Sequence, residues 1–263
     1  MKRIFTLAIL SCLFIGSISA ESQYRKKTFD LFVTGNILQW EKVIDTMKND
    51  PSCQSIEDKE ELLSYYYGLV GHLIDIKDKK HARKVLDDAL SIIKPLADEN
   101  PENGRLSGLM ANFQGFQIAL SPLKATTLAR SMLQHANKAE KISPDDPDVN
   151  IWSANILFYM PNVFGGDSQL SREYYRKALR LYEENEALRS NNWMYLQLII
   201  TLGLVEDVSD PVAVVQQLGV MQPNADGSFD TTSRVTRQMA ATVLLRLLRQ
   251  SNVVFEADMS MLD

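Results

Sequence analysis

The chain has 263 residues, 45% of them hydrophobic, and carries 33 acidic against 28 basic side chains for a net charge of −5. An acidic balance without a basic run makes it a poor candidate for nucleic acid or an anionic membrane surface. Cysteine is scarce: Cys12 lies in the apolar leader, which leaves Cys53 without an intramolecular partner once that leader is cut, so the core must come from apolar burial.

Residues 1–20 read as a secretory signal peptide. Lys2 and Arg3 precede the apolar run Ile4 to Ile15, and Ser17-Ile18-Ser19-Ala20 supplies small residues for cleavage. A second reading takes Ile9-Leu10-Ser11-Cys12 as a lipoprotein signal and anchors the chain through a lipid on Cys12. Elsewhere no stretch reaches the roughly 20 apolar residues that a transmembrane helix needs. The expected location is periplasmic or secreted, with no membrane insertion after cleavage.

Residues 21–56 predict an N-terminal helical hairpin, Tyr24 to Thr34 and Ile37 to Met47, turned at Gly35-Asn36. Residues 57–205 predict an array of further hairpins. Glu57 to Ile76 pairs with Lys79 to Ala97, and Leu106 to Leu120 pairs with Leu123 to Ile142. In the next hairpin Pro144 and Pro147 end the preceding helix, and Asp148 is positioned to cap a helix reaching Tyr159. Pro161, Gly165 and Gly166 then break the chain before a helix capped by Asp167 or Ser168. Trp193 to Leu204 opens the last unit. Residues 206–263 predict capping helices, Pro211 to Met221 and Ser233 to Arg249, with a frayed tail. No alternating apolar run bounded by turn residues suggests a strand.

The hairpins recur every 35–50 residues or so, the mark of a helical solenoid. Tyr66, Leu69, Ala82, Leu86 and Ala89 follow the large-and-small pattern of a tetratricopeptide (TPR) repeat, with Pro95 near its end. Ala136, Ala139 and Pro144 repeat its close; Ser171, Tyr175 and Ala178 repeat its second helix; Trp193 and Leu196 reopen it. The chain therefore resembles a degenerate TPR array: all-α, a right-handed superhelix of antiparallel hairpins. The segments NFQGFQIALSP, KAEKISPDDPDV, YMPNVFGGD, YYRKAL and NNW, in that order over residues 112–193, resemble exported bacterial TPR-like proteins with a Pro-x-x-Phe-Gly-Gly-Asp corner. More distantly the chain is similar to the TPR-built T components of periplasmic TRAP transporters, which form a helical cup beside a solute-binding partner. The first resemblance implies a scaffold or binding role without a known catalytic centre. The second implies a small-molecule carrier or transporter accessory.

Solenoids bind on their concave face, lined by the first helix of each hairpin. Asn112, Phe113, Phe116 and Gln117 from one such helix, and Trp152, Asn155 and Tyr159 from the next, are the candidates for that face. Inter-helix core accounts for most of these aromatics, and Gln117 and Asn155 are the polar members expected to face a groove. The corner Phe164-Gly165-Gly166-Asp167 has two readings: an anion cradle on free N–H groups, or a tight turn with Phe164 in the core and Asp167 capping the helix. Capping alone explains those residue types. Asp146, Asp148 and Asn150, and again Asn224, Asp226, Ser228 and Asp230, alternate as in a calcium loop, but Leu157 and Val235 stand where the bidentate Glu belongs. His72, His81 and His135 lie far apart and lack partners at ligand spacing. No nucleophile elbow, zinc-protease or phosphate-loop motif is present, so no enzyme, metal or cofactor is expected. The expected partner is an exported or envelope protein or peptide.

Overall fold

The structure, a computed structural model, describes residues 23–205, with side chains as far as Leu202. These residues are helical, and no strand occurs among them. The predicted leader and the predicted helices Pro211 to Met221 and Ser233 to Arg249 fall outside the described residues.

In chain order the helices are α1 (Gln23–Val33), α2 (Trp40–Lys48), α3 (Ile56–Asp75), α4 (Lys79–Glu99), α5 (Gly104–Leu120), α6 (Ala125–Ile142), α7 (Pro147–Tyr159), α8 (Ser168–Glu183), α9 (Glu186–Arg189) and α10 (Trp193–Val205). Side chains start most of them. Ser55 and Asp58 form a reciprocal capping box at α3. Asp78, Asn103 and Asp167 each accept from a first-turn N–H of α4, α5 and α8, at about 0.5–2 kcal/mol per cap. One predicted cap moves. Asp146, not Asp148, accepts from Val149 N–H at 3.0 Å, because Pro147 opens α7 at the position where a missing N–H and a fixed φ do no harm. Pro95 does not end its helix either, since α4 continues through it to Glu99. The short α9 had no periodic signal to announce it.

Consecutive helices from α3 to α8 pack on one another, and their short links make each pair antiparallel. The first helices of the hairpins also stand side by side, α3 against α5 and α5 against α7. Fully buried Ala82, Ala89, Ala139 and Ala178 let the helices approach closely. Trp40 lies over Gly68, where an added Cβ would come within 2.2 Å of its ring. Its indole N–H donates to the Thr28 carbonyl at 3.0 Å, so the buried donor is satisfied.

The two ends of the described segment meet. α1 touches α10, the Trp40 and Trp193 rings lie 4.9 Å apart, and the Arg25 guanidinium donates to the carbonyls of Ala187 and Leu188 at 3.1 and 2.6 Å. Because the helices alternate in direction, their links fall on two opposite rims. Links 34–39, 76–78, 121–124 and 160–167 form one, called here the corner rim. Links 49–55, 100–103, 143–146 and 184–192 form the other, the acidic rim.

Candidate functional site

On the acidic rim one cation collects three carboxylates from the two hairpins that flank its own. Arg105, at the start of α5, places its Nε 2.8 Å from Glu60, Nη1 2.7 Å from Asp146 and Nη2 2.7 Å from Asp148. Its guanidinium also lies 5.5 Å from the Trp152 ring centroid. Asn103 donates to the second Glu60 oxygen at 2.6 Å, and the buried Tyr182 hydroxyl donates to Asp148. Burial pushes the Glu60 carboxyl up from its ordinary value against the pull of Arg105. Burial acts against the charge on Arg105 as well, but Asp148, Asp146 and Glu60 outweigh it and hold the guanidinium charged. Every polar arm is met from within the chain, so this cluster is a tie between hairpins. It also engages the first calcium-like loop. Asp146 and Asp148 are committed to Arg105, and Asn150 donates to the Pro144 carbonyl at 2.8 Å.

Further along the first helices lies an aromatic cluster, called here the inner face. Tyr67 of α3 stacks on Phe116 of α5, ring centroids 5.4 Å apart and planes 22° from parallel. It meets the edge of Trp152 at 6.3 Å and Trp193 at 6.3 Å. Asn155 joins two phenols: its amide N–H donates to the Tyr67 oxygen, and its carbonyl oxygen accepts from Tyr175. Burial raises the pKa of both phenols, so they stay neutral. Tyr67 accepts in this chain, which leaves its own proton to donate.

The candidates named from sequence divide here. Phe116 and Asn155 are half-buried in this cluster, Gln117 is half-buried but makes no ring contact or hydrogen bond with it, and Tyr159 at the end of α7 is exposed. Asn112, Phe113 and Trp152 are buried and belong to the core instead of a groove. The Asn112 amide spends its N–H groups on the carbonyls of Gly108 and Trp152, at 3.0 and 3.3 Å. Sequence reasoning missed Tyr67, Tyr182, Arg105 and Glu60. A signal existed for the last two, since charged residues recur in the opening turns of α3, α5 and α7.

The glycine corner is a turn. Gly165 has φ +100°, open to glycine at no steric cost, and a Cβ on Gly166 would stand 1.8 Å from the Met160 carbonyl oxygen. The N–H groups of Phe164, Gly165, Gly166 and Asp167 all donate to carbonyls within residues 157–162. The Asp167 carboxylate accepts from Gln169 and Leu170 N–H, both at 2.9 Å. An anion would find neither free donors nor a vacant helix end. Phe164 departs from expectation: it is 71% exposed instead of in the core.

Cys53 is buried and its thiol is pushed up by burial, which disfavours the reactive thiolate. A cleft of about 350 Å³ between α2, α3 and α4 holds Asp88, whose carboxylate is taken by Lys48 at 2.6 Å and by Tyr66. Among the described residues no group of His, Cys, Asp and Glu has the arrangement of a metal site. No helix there is long and apolar enough to cross a membrane. No protein-family model and no curated protein matches the chain.

Proposed function

We propose that the chain is an exported, non-enzymatic TPR-like repeat protein, a right-handed superhelix whose inner face takes a protein or peptide segment. The observation that carries this reading is the row Tyr67, Phe116 and Asn155, one residue from each of three adjacent first helices, half-buried and ending at exposed Tyr159. Flat aromatic surface with an adjacent amide and phenol suits an extended segment, where rings supply contact area and the polar groups meet its backbone. Crosslinking in the periplasm followed by pull-down tests it. A specific, saturable protein partner, lost in Phe116→Ala and Asn155→Leu, is expected.

One observation favours a second reading. The closure of α1 onto α10, with Trp40 against Trp193, shuts one end of the inner face and shortens any groove. A blind aromatic recess suits a small-molecule carrier or an accessory of TRAP-associated type. A metabolite that co-purifies with the protein, in place of a crosslinked partner, would carry that reading over the first.

A further inference from the structure

The inner face holds more hydrogen-bond donors than its own acceptors take up. Trp152 is 0% exposed, and its Nε1–H has no acceptor among the described residues. Buried donors are nearly always paired, so an orphan of this kind points to a group from outside the chain. Tyr67, edge-on to Trp152 at 6.3 Å, adds a second donor: its oxygen accepts from Asn155, and its proton is left over. The acceptors beside Trp152 on α7 are already engaged. Asp148, one turn earlier, accepts from Arg105 and Tyr182. The Asn155 side-chain oxygen accepts from Tyr175, and the Trp152 carbonyl from Asn112 at 3.3 Å. Tyr67, Phe116 and Asn155 are half-buried, so the cluster meets solvent where these three stand.

We infer that the inner face is a subsite for neutral carbonyl groups, with the Trp152 N–H and the Tyr67 O–H as its donors. A surplus of donors selects an acceptor, and charge selects which acceptor. The Arg105 guanidinium lies 5.5 Å from the Trp152 ring centroid, but the carboxylates of Glu60, Asp146 and Asp148 outnumber it. Their excess negative charge disfavours a carboxylate or phosphate at the same rings. An amide carbonyl carries no charge to repel, and its flat plane suits the faces of Tyr67 and Phe116, stacked 5.4 Å apart. An extended segment offers such a carbonyl at every residue. This rests on the inner face being the binding surface proposed above, and it names the chemistry read there: the segment is held by its backbone oxygens.

NMR of the indole N–H groups tests this on the nitrogen-15-labelled chain Glu21 to Asp263, which holds all 3 tryptophans. Trp152→Phe and Trp193→Phe assign two signals. The remaining one, Trp40, is an internal control, because its Nε1–H already donates to the Thr28 carbonyl at 3.0 Å. The probes are N,N-dimethylacetamide, a neutral acceptor with no N–H, and acetate, its anionic counterpart. Dimethylacetamide is expected to move the Trp152 signal saturably and leave Trp40 in place, with acetate binding about tenfold more weakly or worse. Tyr67→Phe keeps the ring, removes the hydroxyl and is expected to weaken the amide about tenfold. The parent titration decides even where that variant melts early. No saturable shift at Trp152, an equal shift at Trp40, or equal binding of acetate overturns the inference. Capture of a protein partner without a Trp152 shift removes this inference and leaves the binding role. A Trp152 shift without a captured partner supports the subsite and removes the peptide reading, the carbonyl then coming from a small molecule.

Discussion

The acidic rim and the corner rim of this helical array are built from the same kind of link, yet they solve opposite problems. The links of the acidic rim are tied into the body. Arg105 gathers carboxylates from three positions, Tyr182 and Asn103 fill the remaining valences, and Tyr24 holds Asp50 at 2.6 Å. The links of the corner rim satisfy their own backbone locally, as residues 160–167 do, and leave their side chains outside. One rim thus carries connection energy, and the other carries surface. Substitutions of the tying side chains on the first should cost stability, and substitutions of the exposed apolar side chains on the second should cost little.

The largest effect is expected at Arg105. Arg105→Met keeps the stem that covers Trp152 but leaves Glu60, Asp146 and Asp148 together without their cation. Breaking such a buried set costs about 3–5 kcal/mol, read from urea unfolding. The pH dependence gives the sign. Glu60 already titrates above its ordinary value through burial, and removing Arg105 takes away the pull that opposes that rise. Groups with raised folded pKa contribute stability on the acid side that is lost as pH rises through the folded value. The deficit of Arg105→Met should therefore shrink between about pH 7 and pH 5. A deficit that grows on acidification would break the account of this rim as an ionic tie.

Two substitutions in the glycine corner should have intermediate effects. Gly165→Val places a β-branched residue at φ +100° and should cost about 1–3 kcal/mol through backbone strain. Asp167→Ala should cost about 0.5–2 kcal/mol as a lost cap, while Asp167→Asn keeps an acceptor and should melt near the parent. Phosphate or sulfate should shift none of these melts. A rise in the Tm of Asp167→Asn with either anion would sharpen the comparison in an unexpected direction, by giving the corner rim a ligand of its own.

How much of this was legible in the chain follows from the range of the interactions. Helices and turns are local, so proline, glycine and capping residues gave most boundaries within a few residues. Ser171, Tyr175 and Ala178, spaced for one face, are indeed buried together on α8. The cap of α7 moved by two residues because Pro147 competes for the first helical position. The ties were not legible. Glu60, Arg105 and Asp148 are separated by more than forty residues at each step, and only the side-by-side packing of α3, α5 and α7 brings them together. Closure of α1 onto α10 rests on contacts between residues as far apart in sequence as Arg25 and Leu188, which no single hairpin specifies. Phe164 was misplaced for a related reason. A phenylalanine in a turn is usually an anchor, and its exposure makes sense only beside Leu123, Ile76 and Leu38 on the neighbouring links.

The smallest stability effect is expected at that same residue, and it bears most directly on the contrast between the rims. Phe164 is 71% exposed and its N–H donates to the Pro161 carbonyl at 2.9 Å, a bond that any residue except proline preserves. Phe164→Ser removes a ring that packs on little, and exposed substitutions of this kind fall within about ±0.5 kcal/mol. Loss of exposed apolar area can even favour the folded chain in dilute buffer. The comparison with Arg105 is then direct: one variant destabilises strongly, the other hardly at all, although both lie at ends of helices in one body. Urea unfolding of the two, run side by side on the same chain, measures the difference. A cost above about 1 kcal/mol for Phe164→Ser would mean that its ring is covered in solution. The corner rim would then be a packed interface like its counterpart, and the division of labour between the rims would fall.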